Sequence, residues 1–146
     1  MKKVSQLLLQ KGGAVKTIDA SKTVYEALEI MISNDFGALI VSQNGRYAGL
    51  LTERDYARKV ALLGKNSHDT HIAEIMQTSP SSVSLKDSIE TCMSIMSAKH
   101  IRYLPVLEGD DVVGLVSMGD LVRFIIDDQK NTISHLQNFI TGGVYS

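Results

Sequence analysis

The sequence predicts a mixed α/β (α+β) fold built from two similar halves, each running strand, helix, strand, strand, helix. Three observations carry this. Sliding the chain on itself by 65 positions lays residues 15–63 on 80–128 without a gap. Within each half, apolar residues switch between helical and strand spacing in the same order. Turn residues punctuate both halves at matching places.

The overlay pairs Ile30-Met31 with Ile95-Met96, Leu39 with Leu104, Val41 with Val106, Gly49-Leu50 with Gly114-Leu115, Asp55 with Asp120 and Arg58 with Arg123. Conservative pairs add weight: Ile18 with Val83, Val24 with Ile89, Leu51 with Val116, Thr52 with Ser117. Val24, Ala27, Leu28 and Met31 lie at i, i+3, i+4, i+7, as do Ile89, Cys92, Met93 and Met96, so each set forms one apolar helix face. Capping chemistry opens both helices, Thr23 with Glu26 and Asp87 with Glu90. Ala38–Val41 and Tyr103–Leu107 have strand length and composition. Each leads through Gln43-Asn44-Gly45 or Glu108-Gly109-Asp110 into a second strand, Tyr47–Leu51 or Val112–Val116. Closing helices carry Tyr56, Ala57, Val60 and Ala61 in one half and Leu121, Val122, Ile125 and Ile126 in the other.

The expected division is therefore a leading helix and loop over 1–14, repeats over 15–63 and 80–128, a polar linker over 64–79 with one amphipathic turn at 72–76, and a tail over 129–146. The tail carries a helix at 130–141 with Ile133, Leu136 and Ile140 on one face. A half of under 50 residues buries too little surface to stand comfortably alone, so the two should pack as one pseudo-twofold unit.

Charge narrows the function. Fifteen basic and 16 acidic residues give a net charge of −1, with no run of Lys and Arg to meet nucleic acid. Leu7-Leu8-Leu9 is too short for a signal-peptide core or a membrane span, and the single cysteine, Cys92, falls among helix-core residues. A cytoplasmic location is the default expectation. His68 and His71 stand three apart without a third metal ligand, no phosphate-loop or dinucleotide fingerprint occurs, and no nucleophile–base pair suggests an enzyme.

The informative element is the end of the last strand in each half, Gly49-Leu50-Leu51-Thr52-Glu53-Arg54-Asp55 against Gly114-Leu115-Val116-Ser117-Met118-Gly119-Asp120. A hydroxyl stands where the strand ends and a carboxylate follows in the first helical turn. One such S/T-x-x-D is an ordinary helix cap. Two at equivalent positions suit a pair of anion sites, with the dipole drawing phosphate and the carboxylate accepting from a ribose diol.

Here the chain resembles the CBS domains, and as a whole a Bateman module of two in tandem. Gly37–Val41, Gly49–Lys59, Ile75-Met76, Arg102–Val106 and Gly114–Leu121 carry the likeness, and Thr132–Leu136 resembles a bacterial and organellar subgroup of stand-alone pairs. The resemblance implies binding of AMP, ADP, ATP, NAD(H) or S-adenosylmethionine in clefts between the repeats. It implies that Asp55 and Asp120 hold ribose with Thr52 and Ser117 beside them, that Thr17-Ile18 and Ser82-Val83 contact the base, and that Ala38 and Tyr103 flank it. It also implies a flat homodimer, regulation of a protein partner, and no catalysis.

The halves differ at the junctions. Arg54 is matched by Gly119, and Gly37 by Arg102. Arg54 and Arg58 share a helical face on which they either grip phosphate or sit solvated, while Arg102 or Arg123 could supply the second cleft. Unequal ligands are expected. The apolar faces with Tyr56, Val60, Leu121 and Ile125, together with the tail, are expected to form the dimer contact. Two functions compete: a regulatory nucleotide sensor, and a ligand-independent structural adaptor with degenerate clefts.

Overall fold

The computed structural model describes residues 2–145, with side chains up to position 140 except at 139. In chain order the elements are α1 (Val4–Lys11), β1 (Thr17–Asp19), α2 (Val24–Asn34), β2 (Ala38–Gln43), β3 (Arg46–Thr52), α3 (Glu53–Tyr56), α4 (Ile72–Ile75), α5 (Ile89–Lys99), β4 (Tyr103–Glu108), β5 (Asp111–Ser117) and α6 (Met118–Tyr145). A π-helical turn, Ala57–Ala61, prolongs α3. In the first half β1 lies parallel to β2 and β2 antiparallel to β3. The second half pairs β4 with β5, and its leading strand shrinks to a parallel bridge from Val83 to Val106.

Strand β2 shows why the halves need each other. Leu39 and Val41 point into a core shared with Val24, Ala27 and Met31 of α2. Ala38 and Ile40 point the other way, into a smaller cluster with Leu50 and, from the second half, Tyr103, Val112 and Leu115. A strand buried on both faces reads as a continuous apolar run, and this one does.

The segments leading into the repeats are exchanged between them. Helix α1 precedes the first half, yet Val4 and Leu7 are buried in the core of the second, with Val83, Cys92, Leu104 and Leu121. The Val4 amide donates to Asp87 O at 2.9 Å. Helix α4 precedes the second half, yet Ile72 and Ile75 complete the core of the first. Gly49 and Gly114 are fixed by this exchange, since a Cβ at Gly49 would strike the backbone carbonyl of Gln77 and one at Gly114 would lie 2.7 Å from Leu8 Cδ1.

Three expectations are corrected. The cap of α5 is Ser88, whose hydroxyl accepts from Thr91 N at 3.1 Å, whereas the Asp87 carboxylate accepts from Ser84 N at 2.7 Å. The repeat register already points there, because Ser88 overlays Thr23, which caps α2 through Glu26 N. The tail helix is not separate, because α6 runs unbroken for 28 residues with no glycine or proline between positions 120 and 141 to stop it. Finally, Val60 and Leu121 are each 1% exposed and belong to the two cores, with Tyr56 and Ile125 packed beside them, so those four side chains are not a free dimer face.

Cys92 is wholly buried, and burial first, then the nearby Asp87 carboxylate, push its thiol up to about 11. A thiol so protonated is packing material.

Candidate ligand clefts

The crossed segments and the strand-end junctions meet in two clefts. The first, about 690 Å³, is lined by Thr52, Glu53, Arg54 and Asp55 from the first half, by Gln77, Ser79, Pro80 and Ser81 after α4, and by Ile101, Arg102 and Tyr103 from the second half. The second, also about 690 Å³, is lined by Ser117, Met118, Gly119 and Asp120 from the second half and by Phe36, Gly37 and Ala38 from the first, with Lys11 of α1. A 230 Å³ recess sharing Lys11, Phe36, Ala38 and Leu115 continues it along Gly12–Lys16. Each cleft thus takes its hydroxyl–carboxylate junction from one repeat and its opposite wall from the other. Either volume falls within the range of small-molecule sites, roughly 300–1,000 Å³.

Both junctions are built as capping boxes. Thr52 Oγ1 accepts from Asp55 N at 3.1 Å, and Asp55 Oδ2 accepts from Thr52 N at 2.9 Å and Thr52 Oγ1 at 3.0 Å. Ser117 Oγ accepts from Asp120 N at 3.0 Å, and Asp120 Oδ2 accepts from Ser117 N at 2.9 Å. The carboxylates are 6% and 8% exposed, so they line the clefts while turned back on their own backbone. Their remaining partners differ. Asp55 accepts from Gln77 Nε2 at 3.1 Å and pairs with Lys59 Nζ at 3.4 Å. Asp120 pairs with Lys11 Nζ at 2.8 Å and Arg123 Nη2 at 2.7 Å. Burial pushes the Asp120 carboxyl up, but the Lys11 and Ser117 hydrogen bonds outweigh it and hold the group below the usual carboxylate range.

Of the residues expected at the site, Thr52, Arg54, Asp55, Arg58, Arg102 and Tyr103 line the first cleft, and Ala38, Arg102, Tyr103, Ser117 and Asp120 line the second. Ile18 and Val83 do not line these clefts. Both are buried in the repeat cores, as strand alternation requires once their neighbours face out. Thr17 and Ser82 are exposed and lie outside the linings of these clefts. The wall lies two residues earlier, at Val15-Lys16 and Pro80-Ser81, which are themselves a repeat pair.

Arg54 lines the first cleft but spends Nη1 on His100 O at 2.7 Å, which ties the junction to the C-terminus of α5. Gly119 is covered by Arg123, whose Nη1 lies 3.4 Å from the place a Cβ would occupy. The second cleft therefore regains the cation that the sequence overlay removes. It still carries fewer, namely Lys11, Arg102 and Arg123 against Asp35 and Asp120, whereas the first has Arg54, Arg58, Lys59, Lys99 and Arg102 against Glu53 and Asp55. Tyr103 belongs to both linings. Its hydroxyl fills the space where a side chain at Gly37 would be, so the Gly37–Arg102 mismatch has a steric cause. Burial, then the Glu53 charge, raises its phenol above the ordinary value against the pull of Arg102.

Sequence reasoning missed Lys11, Lys59, Gln77 and Lys99. For Lys11 and Gln77 a signal existed: Val4, Leu7 and Leu8 match Ile72, Ile75 and Met76 at a uniform offset of 68, which marks α1 and α4 as counterparts and their exits as equivalent walls.

A duplicated unit with one cleft per junction, walled by crossed segments, defines a paired-repeat module with two clefts rather than a single-pocket fold. The CBS domain model matches residues 13–62 and 72–127, and the chain belongs to the CBS domain family. It is similar to the CBS domain-containing protein CBSX3, mitochondrial, of Arabidopsis thaliana, 32% identical over 152 residues spanning 96% of this chain and 72% of that protein. It is also similar to the CBS domain-containing protein YhcV of Bacillus subtilis, 33% identical over 107 residues, 73% of this chain and 76% of that one. Among solved structures, a CBS-domain protein of Burkholderia ambifaria assigned to signal transduction superposes with a TM-score of 0.83 at 39% identity, over 88% of this chain and 96% of its own.

Proposed function

We propose that this chain is a regulatory sensor that binds adenine nucleotides, AMP, ADP, ATP or NAD(H), in its two clefts and passes their occupancy to a protein partner, with no catalysis of its own. The observation that carries this reading is the pair of 690 Å³ clefts, each with a hydroxyl–carboxylate junction and an excess of cations among its lining residues. Ribose hydroxyls would take the place of the movable donors on each carboxylate, Gln77 and Lys59 at Asp55, Lys11 and Arg123 at Asp120. The greater cation excess of the first cleft favours the more phosphorylated ligand there. The working form is a homodimer. A cytoplasmic site of action belongs to this reading, although the Arabidopsis relative carries "mitochondrial" in its name. Among the described residues no helix is long and apolar enough to cross a membrane.

Thermal unfolding with AMP, ADP, ATP, NADH and S-adenosylmethionine tests the reading. A ligand at a hundred times its dissociation constant adds about 2.7 kcal/mol to stability. No shift from any of them at millimolar concentration would leave the clefts degenerate and favour the adaptor function.

A further inference from the structure

Beyond residue 128 helix α6 leaves the body of the protein, and residues 129–138 and 140 are all exposed. Its apolar side chains nonetheless keep strict order. Val122, Ile126, Ile133, Leu136 and Ile140, with Gln129 in the gap, are spaced four, three, four, three and four when Gln129 is counted in sequence. The five apolar members are 44–66% exposed. A 3.5-residue repeat held over about 27 Å is the seam of a two-helix coiled coil, since a helix packing on a globular core needs a wider face.

We infer that this seam is occupied by the same helix of a second copy, running parallel. The inference rests on the homodimer reading above and specifies its contact. Ile126, Ile133 and Ile140 fall on one seam position and Val122, Gln129 and Leu136 on the other; β-branched residues along the first, with Leu136 at the second, suit a pair of helices rather than a larger bundle. Gln129 fixes the direction. Parallel helices set Gln129 against its own counterpart, amide to amide, whereas antiparallel helices centred on the seam set it against Ile133 and leave a buried amide unpaired. Charge agrees. From 129 to 140 the only Lys, Arg, Asp or Glu is Lys130, so two copies repel little and an oppositely charged partner finds little to read.

The test uses the full chain with Ile133 and Leu136 both changed to Lys. Sedimentation equilibrium should show a dimer for the parent and dimer association weakened about a hundredfold or more for the variant. Both positions are exposed in the protomer, so the circular dichroism spectrum and nucleotide-induced thermal shift should be retained. A dimeric variant would overturn the seam while leaving the homodimer reading standing. A monomeric parent would overturn both, and leave the stripe to another protein or to solvent. Direction is read from Leu136→Cys under mild oxidation. A parallel pair brings the two thiols together, whereas an antiparallel pair holds them about 15 Å apart axially. A covalent dimer is the expected product, since Cys92 is buried and does not compete. A dimer that stays non-covalent would overturn the parallel arrangement.

Discussion

Replacing Asp55 with alanine should cost stability as well as ligand affinity. The side chain does more than face the cleft. Its Oδ2 accepts from Thr52 N, Thr52 Oγ1 and Gln77 Nε2 at 2.9, 3.0 and 3.1 Å, and it is 6% exposed. Alanine leaves the Thr52 amide unpaired at a buried strand end. Hydrogen bonds to a charged group contribute about 1.5–3 kcal/mol, and a stranded buried donor costs about 1–3 kcal/mol. The Lys59 pair adds little, because Lys59 is 44% exposed and solvent screens it. A net loss of about 2–3 kcal/mol follows. Each kcal/mol lowers the midpoint by roughly 2–4 °C in chains near this length, so the drop should be roughly 5–10 °C. Asp55→Asn separates the roles: its carbonyl can still accept from Thr52 N, so it should recover most of the stability without restoring the carboxylate's grip on a ribose diol. Differential scanning calorimetry gives the first quantity and isothermal titration the second. An alanine variant that melts within 1 °C of the parent would refute the reasoning, since the capping network would then carry no stability.

Two further outcomes follow from other contacts. Gly49→Ala should destabilise the fold by about 1–3 kcal/mol in urea and weaken the first cleft, because the new methyl meets the Gln77 carbonyl that receives Leu50 N at 3.0 Å; an unchanged midpoint would contradict the close approach. The Asp120 carboxyl is held below its unfolded value, so its contribution is present at neutral pH and is lost as the pH falls through the folded value; Asp120→Asn should lower stability at pH 7 and flatten the acid limb of the stability curve, and an equal slope in both proteins would exclude the Lys11–Asp120 pair as its source.

How much was legible follows from what each signal depends on. Strands β2 to β5 and helices α2 and α5 lie close to where periodicity places them, because their apolar spacing and turn residues are local. The junction carboxylates were found because Thr52-x-x-Asp55 and Ser117-x-x-Asp120 recur in register. The lining residues Val15-Lys16 and Pro80-Ser81 went unnamed, because which strand-entry residue meets a cleft depends on how one half is laid on the other. Lys11 was invisible to local reading for the same reason: it reaches Asp120 across 109 residues of chain by way of the exchanged helix α1. The unbroken run of α6 was legible in the absence of a stop signal, and was obscured by the repeat boundary drawn through it.

Tyr103 lines both clefts, with its hydroxyl against Gly37. A side chain that forms part of two walls cannot take its preferred position for one occupant without setting the shape offered to the other. On the proposed reading, two occupied clefts would share a coupling free energy, and thermodynamic reciprocity fixes its symmetry: the factor by which a molecule in the first changes affinity in the second is the factor returned in the opposite direction. Such couplings typically amount to about 1–3 kcal/mol, or roughly 5- to 150-fold in affinity. At the upper end of that range the module would respond to a ratio of two ligands more steeply than to the concentration of either.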